Sequence, residues 1–363
     1  ASFWREMATS TADLAIAHFD AALTAHAQGD LAGAEAQCAQ SLAAFQRSEG
    51  EQSPNAASAL NFLALIRQAR GEDGAALAAA QQAVAILDAL GADFTGADAV
   101  DLRVQAWGML GNLHRHFGQY AQAEPLLQRA LAAASAAFGE ASEQASSARN
   151  DLGILYKYTG EFDRAEALYR AALANIERQL GREHLETASL YHNLGGLEHA
   201  RGDFARGEPL ARKAWEIRRA HLGADDPATL ADAAAYAGLL DGLERYDESE
   251  PIYRDVLAKF EQRYGPEHYE IAINLNNLAN VRFARGDVAQ AEALFRRALA
   301  IEEKILGADH PDAALACNNL GVVLQSQNRT AEARALFARA LAIFRAALGD
   351  THPKTVAARE NLG

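Results

Sequence analysis

Apolar positions along the chain recur at helical spacing in short blocks, and the blocks themselves recur. Leu152, Leu155 and Tyr156 are followed by Leu194 and Leu197, by Leu278 and Val281, and by Leu320, Val323 and Leu324. A second stripe, Ala165, Leu168, Tyr169, Ala172, Leu173 and Ile176, is echoed by Ala291, Leu294, Phe295, Ala298 and Leu299. Both follow the i, i+3, i+4, i+7 spacing of a helix with one apolar face. Between the two kinds of stripe stands a glycine or a substitute for it: Gly29, Gly71, Gly118, Gly160, Gly202, Glu244, Gly286 and Asn328. Six of the seven intervals are 42 residues long, and the one from Gly71 to Gly118 is 47. The pattern predicts eight units of two helices each, with the glycine at a tight turn where a positive φ costs it little.

The punctuation agrees. A small residue follows the first leucine of each early helix at Gly153, Gly195, Ala279 and Gly321, where a large side chain would hold the two helices apart. Leu180-Gly181, Leu222-Gly223, Leu306-Gly307 and Leu348-Gly349 end the second helix, and a left-handed C-cap is expected there. Pro227, Pro311 and Pro353 then suit the first turn of the next helix. A helix pair of this size cannot bury its own apolar stripe, and stacking the pairs buries it continuously. The expected fold class is therefore an all-α solenoid of about eight helix-turn-helix repeats forming one domain over 1–363. Within it, 1–10 reads as an N-terminal extension, 11–91 as divergent repeats, 92–100 as the site of the five additional residues, and 101–351 as regular repeats. Asn361-Leu362-Gly363 matches Asn319-Leu320-Gly321, so 352–363 reads as a partial ninth repeat or a capping helix.

Composition narrows the function classes. Half of the residues are hydrophobic but only 7% are aromatic, which suits close-packed helices better than sheets. The net charge of −14 argues against nucleic acid and against an anionic membrane surface. Two cysteines make no disulfide framework, and no apolar run approaches the length of a membrane span. No phosphate loop, nucleophile elbow or Cys/His pairing is present, so neither an enzyme nor a cofactor is expected. His192 and His199 lie seven apart on one helix, about 10.5 Å along its axis, too far for two ligands of one zinc ion. His184, His268, His310 and His352 recur in the loop between repeats and read as structural.

The small-residue, aromatic and alanine positions resemble the tetratricopeptide repeat. The 42-residue period, with Leu275-Asn276-Asn277-Leu278-Ala279 and Leu306-Gly307-Ala308-Asp309-His310-Pro311, is similar to the kinesin light chain-like subclass, and the Ala- and Arg-rich composition suits a bacterial member. The resemblance implies a right-handed superhelix whose first helices line a concave groove, and a non-catalytic scaffold that binds a peptide or partner protein there. It also implies that asparagines on the first helices hold the backbone of an extended peptide, because an amide both donates and accepts. The matching positions are Asn193, Asn277 and Asn319, with Asp151 at the equivalent place. Asn150, Asn276 and Asn318 are about 100° further round the helix, and Asn112 and Asn280 are one turn along. Arg115, Lys157 and His199, each three before a turn glycine, make the middle of the groove mildly basic and favour a ligand with acidic residues. Tyr158 and Phe283 are candidates for apolar pockets. Two rival readings are a sensor or regulatory segment of a longer protein and a module that self-assembles through the ends of the solenoid. A cytoplasmic location is expected.

Overall fold

The computed structural model describes residues 11–363, so the N-terminal extension lies outside the described residues. Among these residues there are 17 α-helices and no strand. The protein is an all-α solenoid of helix-turn-helix repeats, in two compact units, Ala1–Asp151 and Leu152–Gly363. The first unit holds α1 (Thr11–Ala27), α2 (Leu31–Glu49), α3 (Pro54–Ala69), α4 (Asp73–Leu90), α5 (Ala97–His116) and α6 (Tyr120–Phe138). Helix α7 (Glu143–Tyr158) gives its first turns to this unit and its last to the second. The second unit continues with α8 (Phe162–Leu180), α9 (Leu185–Arg201), α10 (Phe204–Leu222), α11 (Pro227–Gly242) and α12 (Tyr246–Tyr264). It is completed by α13 (Tyr269–Ala284), α14 (Val288–Leu306), α15 (Pro311–Ser326), α16 (Thr330–Leu348) and α17 (Pro353–Leu362). Around the 47-residue interval, α5 has 20 residues where α3 has 16, and a short 3-10 turn, Gly91–Asp93, precedes it.

Local chemistry explains the boundaries. The turn glycines have positive φ, and so do the two residues that replace them, Glu244 at 59° and Asn328 at 62°. His184, His268, His310 and His352 are N-caps: each imidazole Nδ1 accepts the backbone N–H two residues on, at 3.1–3.2 Å. The glycines after the second helices depart from the left-handed cap. Gly181, Gly223, Gly307 and Gly349 combine φ of 85–97° with ψ of 157–172°. This mirror-image extended region is open essentially to glycine alone, and it swings the chain away toward the next helix.

Packing follows the small-residue rule. A Cβ on Gly153 would lie 2.7 Å from the Tyr169 ring, and one on Gly321 would lie 2.6 Å from the Phe337 ring. The aromatic of the second helix thus fills the space that the first helix leaves. Glutamates near the start of the second helices, Glu166, Glu250 and Glu292, join neighbouring repeats. Glu166 takes an ion pair from Arg201, and Arg282 meets Glu250 at 2.6 Å. Arg329 likewise meets Glu292 at 2.8 Å. Hydrogen bonding from Arg201 holds the Glu166 carboxyl down at about 2.

Candidate functional site

Curvature within each unit identifies the inner face. First helices of adjacent repeats touch each other directly, α3 with α5 in the first unit and α9 with α11, α11 with α13, α13 with α15 and α15 with α17 in the second. The side on which such neighbours meet is the inside of the bend, and the candidate residues stand on these first helices.

In the first unit this face carries a cavity of about 680 Å³ between α1, α3, α5 and α7. Its apolar part is built from Phe19, Phe62, Leu65 and Met109, with the Phe19 and Phe62 rings 5.6 Å apart, edge to face. Its polar part includes Asn61, Asp101, Asn112 and Asp151. The Asn112 side chain is hydrogen-bonded to Asp151. Burial pushes the Asp151 carboxyl up to about 6, against the pull of Asn112 and of the nearby Arg115 guanidinium. The side-chain oxygens of Asn61 and Asn112 are buried and accept no hydrogen bond. Asn150 and Arg115 are half-buried and do not border the cavity.

In the second unit, Lys157 and His199 occupy successive copies of one position. Each reaches across to a glycine of the next first helix. A Cβ on Gly196 would lie 3.5 Å from Lys157 Nζ, and one on Gly238 would lie 3.5 Å from His199 Nε2. Burial lowers the His199 pKa, and the Lys157 charge lowers it further. At the next copy, Asp241 accepts from the Tyr253 hydroxyl at 2.8 Å. Asn193, Asn277 and Asn319 are half-buried, and Asn280 is exposed. The neighbouring row turns inward instead. Asn276 is buried and donates to Glu302 at 2.9 Å, and Asn318 accepts from Asn361 at 3.0 Å. Phe283 is half-buried and packs against the core cluster that contains Phe295 and Phe337.

The second unit also returns on itself, so its repeats do not touch their sequence neighbours alone. His352 at the start of α17 meets the backbone carbonyl of Tyr158 at the end of α7, with Nε2 3.1 Å from the oxygen. Because Nδ1 accepts from Lys354 N–H, the proton sits on Nε2 and is donated to Tyr158. Beside this seam the Tyr269 hydroxyl donates to Asp312 at 2.9 Å. Burial lowers the Lys354 pKa, and Asp312 partly restores it. A linear stack of repeats gives no hint of such a contact.

Among the described residues no group of three or more His, Cys, Asp or Glu could hold a metal ion. Cys38 and Cys317 are free and buried, and burial pushes their thiols up to about 12 and about 11. No described helix is long and apolar enough to cross a membrane. The asparagine positions are those that the family resemblance implies. The Asp101 and Asp151 carboxylates of the cavity were missed as a pair because they stand on different helices in the irregular part of the chain. Their one signal was Asp151 replacing asparagine in its row.

The chain belongs to the tetratricopeptide repeat family, whose model matches residues 13–89, 102–178, 158–220, 186–262, 229–301, 269–346 and 316–363. Among solved structures it is similar to the apo form of the quorum sensor NprR from B. thuringiensis, at 11% identity and a TM-score of 0.61, over 94% of this chain and 91% of that one. NprR in complex with its cognate peptide NprX gives 15% identity and a TM-score of 0.56, over 74% and 76%. BtubC (BKLC) from P. vanneervenii is 23% identical over 66% of this chain and 93% of that one, with a TM-score of 0.44. A search of curated proteins finds no match.

Proposed function

We propose that this protein is a non-catalytic scaffold that binds an extended peptide or a peptide-like segment of a partner protein along the inner face of its first helices. The observation that carries the reading is the cavity on that face, bordered by amide side chains whose oxygens accept no hydrogen bond. Amides at regular intervals suit a peptide backbone, which offers a donor and an acceptor at every residue. The fold is also that of NprR, which has been solved in complex with a cognate peptide. In the second unit, the Lys157 charge favours acidic side chains on the ligand, while burial keeps the neighbouring His199 neutral.

Replacing Asn193, Asn277 and Asn319 together by alanine tests this reading. These positions are not core, and alanine is the better helix former, so circular dichroism should show an intact fold. Each lost hydrogen bond is worth about 0.5–1.5 kcal/mol, so affinity for the partner recovered from native lysate should fall by about tenfold or more in titration calorimetry. Unchanged affinity would put the partner on another surface and end the groove reading.

A further inference from the structure

The cavity of the first unit has a chemical bias that the groove reading does not contain. Asp101, Glu143 and Asp151 border it, and among the described residues no lysine, arginine or histidine does. Asp101 accepts from Gln105 at 2.6 Å on its own helix, and the Asn112 side chain is hydrogen-bonded to Asp151, so neither carboxylate is bare. Both still have lone pairs to fill, since a carboxylate accepts at about four sites. Asn61 and Asn112 add two buried oxygens that accept nothing. Gly108 leaves the space over Asp151 open, where a Cβ would stand 3.6 Å from Oδ2. Acceptors therefore converge from α3, α5 and α7 on one hollow. The charge there is unbalanced, and burial holds the Asp151 carboxyl up at about 6 despite Arg115. A bordering ligand that brings donors and positive charge relieves both conditions. The opposite wall is apolar, and Leu23 and Leu65 on its border are 43% and 38% exposed, large hydrophobic surface that the other described residues leave open.

We propose that this cavity is a specificity pocket for a cationic side chain, arginine or lysine, of an extended partner segment, held between Asp101 and Asp151 while an adjacent apolar side chain lies on Phe19, Phe62, Leu65 and Met109. The proposal rests on the groove reading and names what that groove selects. It differs from the acidic preference expected opposite Lys157, which belongs to the second unit.

The test uses the full chain and four pools of capped, fluorescein-labelled heptapeptides, apolar at the flanking positions and fixed at the centre as Arg, Lys, norleucine or Glu, read by fluorescence anisotropy. The Arg and Lys pools should bind about tenfold or more tightly than the norleucine pool, and the Glu pool most weakly. The preference should shrink with added salt. Asp101→Asn and Asp151→Asn, singly and together, should remove the preference for Arg and Lys over norleucine. Both substitutions keep the side-chain shape, and circular dichroism checks the fold. Equal binding of all four pools would overturn the cation pocket and leave the groove reading standing. A cationic preference that survives both substitutions, or a preference for Glu, would also overturn it. If no pool binds, the pocket falls, and the triple asparagine variant still judges the groove by its own partner.

Discussion

Glu302→Gln should make the protein more stable at pH 8 and leave it nearly unchanged at pH 5. Glu302 is only 2% exposed and its one hydrogen bond comes from Asn276. Burial pushes its carboxyl up to about 9, the Asp312 carboxylate adds to the push, and the Asn276 bond opposes it. The two atoms left without a partner, Asn276 Oδ1 and Glu302 Oε2, are both acceptors, which is the mark of a site that wants one more proton. The folded pKa lies above the unfolded one, so between about pH 4.5 and 9 the native state holds a proton that the unfolded chain has lost. Stability then falls as pH rises through that window, by about 1.4 kcal/mol per pH unit. A glutamine carries no such linkage. The gap between variant and wild type should therefore widen from pH 5 to pH 8, to about 4 kcal/mol at most. Urea unfolding midpoints across this range give the answer, and a pH-independent gap would show that Glu302 is ionised in the fold.

Leu278→Ala should destabilise the protein by about 2–5 kcal/mol, the usual range for emptying a buried leucine site. Leu278 is 6% exposed and packs in the core shared by α11, α12, α13 and α14, with Phe260, Leu275 and Ile301. In a repeat stack the loss is felt first by the mutated repeat and those touching it. Hydrogen exchange should accordingly speed up in α12, α13 and α14, while α1 to α4 keep their protection. A uniform loss across both units would mean that they unfold as one cooperative block.

Much of this architecture was legible in the sequence because it is written locally. A 42-residue period set by turn glycines survives even where Glu244 and Asn328 take their place, since a single residue with positive φ is all that the turn requires. Pro311 and the capping histidines mark helix starts in the same local way. The finer division of the first helices was harder to read. Asn276 and Asn277 are neighbours in sequence, yet one is buried against Glu302 and the other is half-buried on a different side of the helix. Which phase faces inward depends on how the next repeat is rotated, and that rotation leaves no periodic trace. The acidic cavity was hidden for a related reason. Phe19, Asp101 and Asp151 come from three different helices in a region of irregular spacing, and only the bend of the stack brings them to one hollow.

The hydrogen bond between His352 and Tyr158 joins residues 194 positions apart, and this distance along the chain has a consequence for the order of folding. Nearly everything else in a stack of helix pairs is made between close neighbours, which is the arrangement that folds fast. The seam between α7 and α17 is different, because it can form only once the repeats between them have been laid down in register. By then the stack itself holds the two partners close, so closure bears far less loop entropy than a free chain of that length would. The repeats should zip up first, and the seam should set last and part first on unfolding. His352→Ala should therefore speed unfolding and leave the folding rate almost untouched, as expected for a contact absent from the transition state, and stopped-flow chevrons of the two proteins would show whether the refolding limbs coincide.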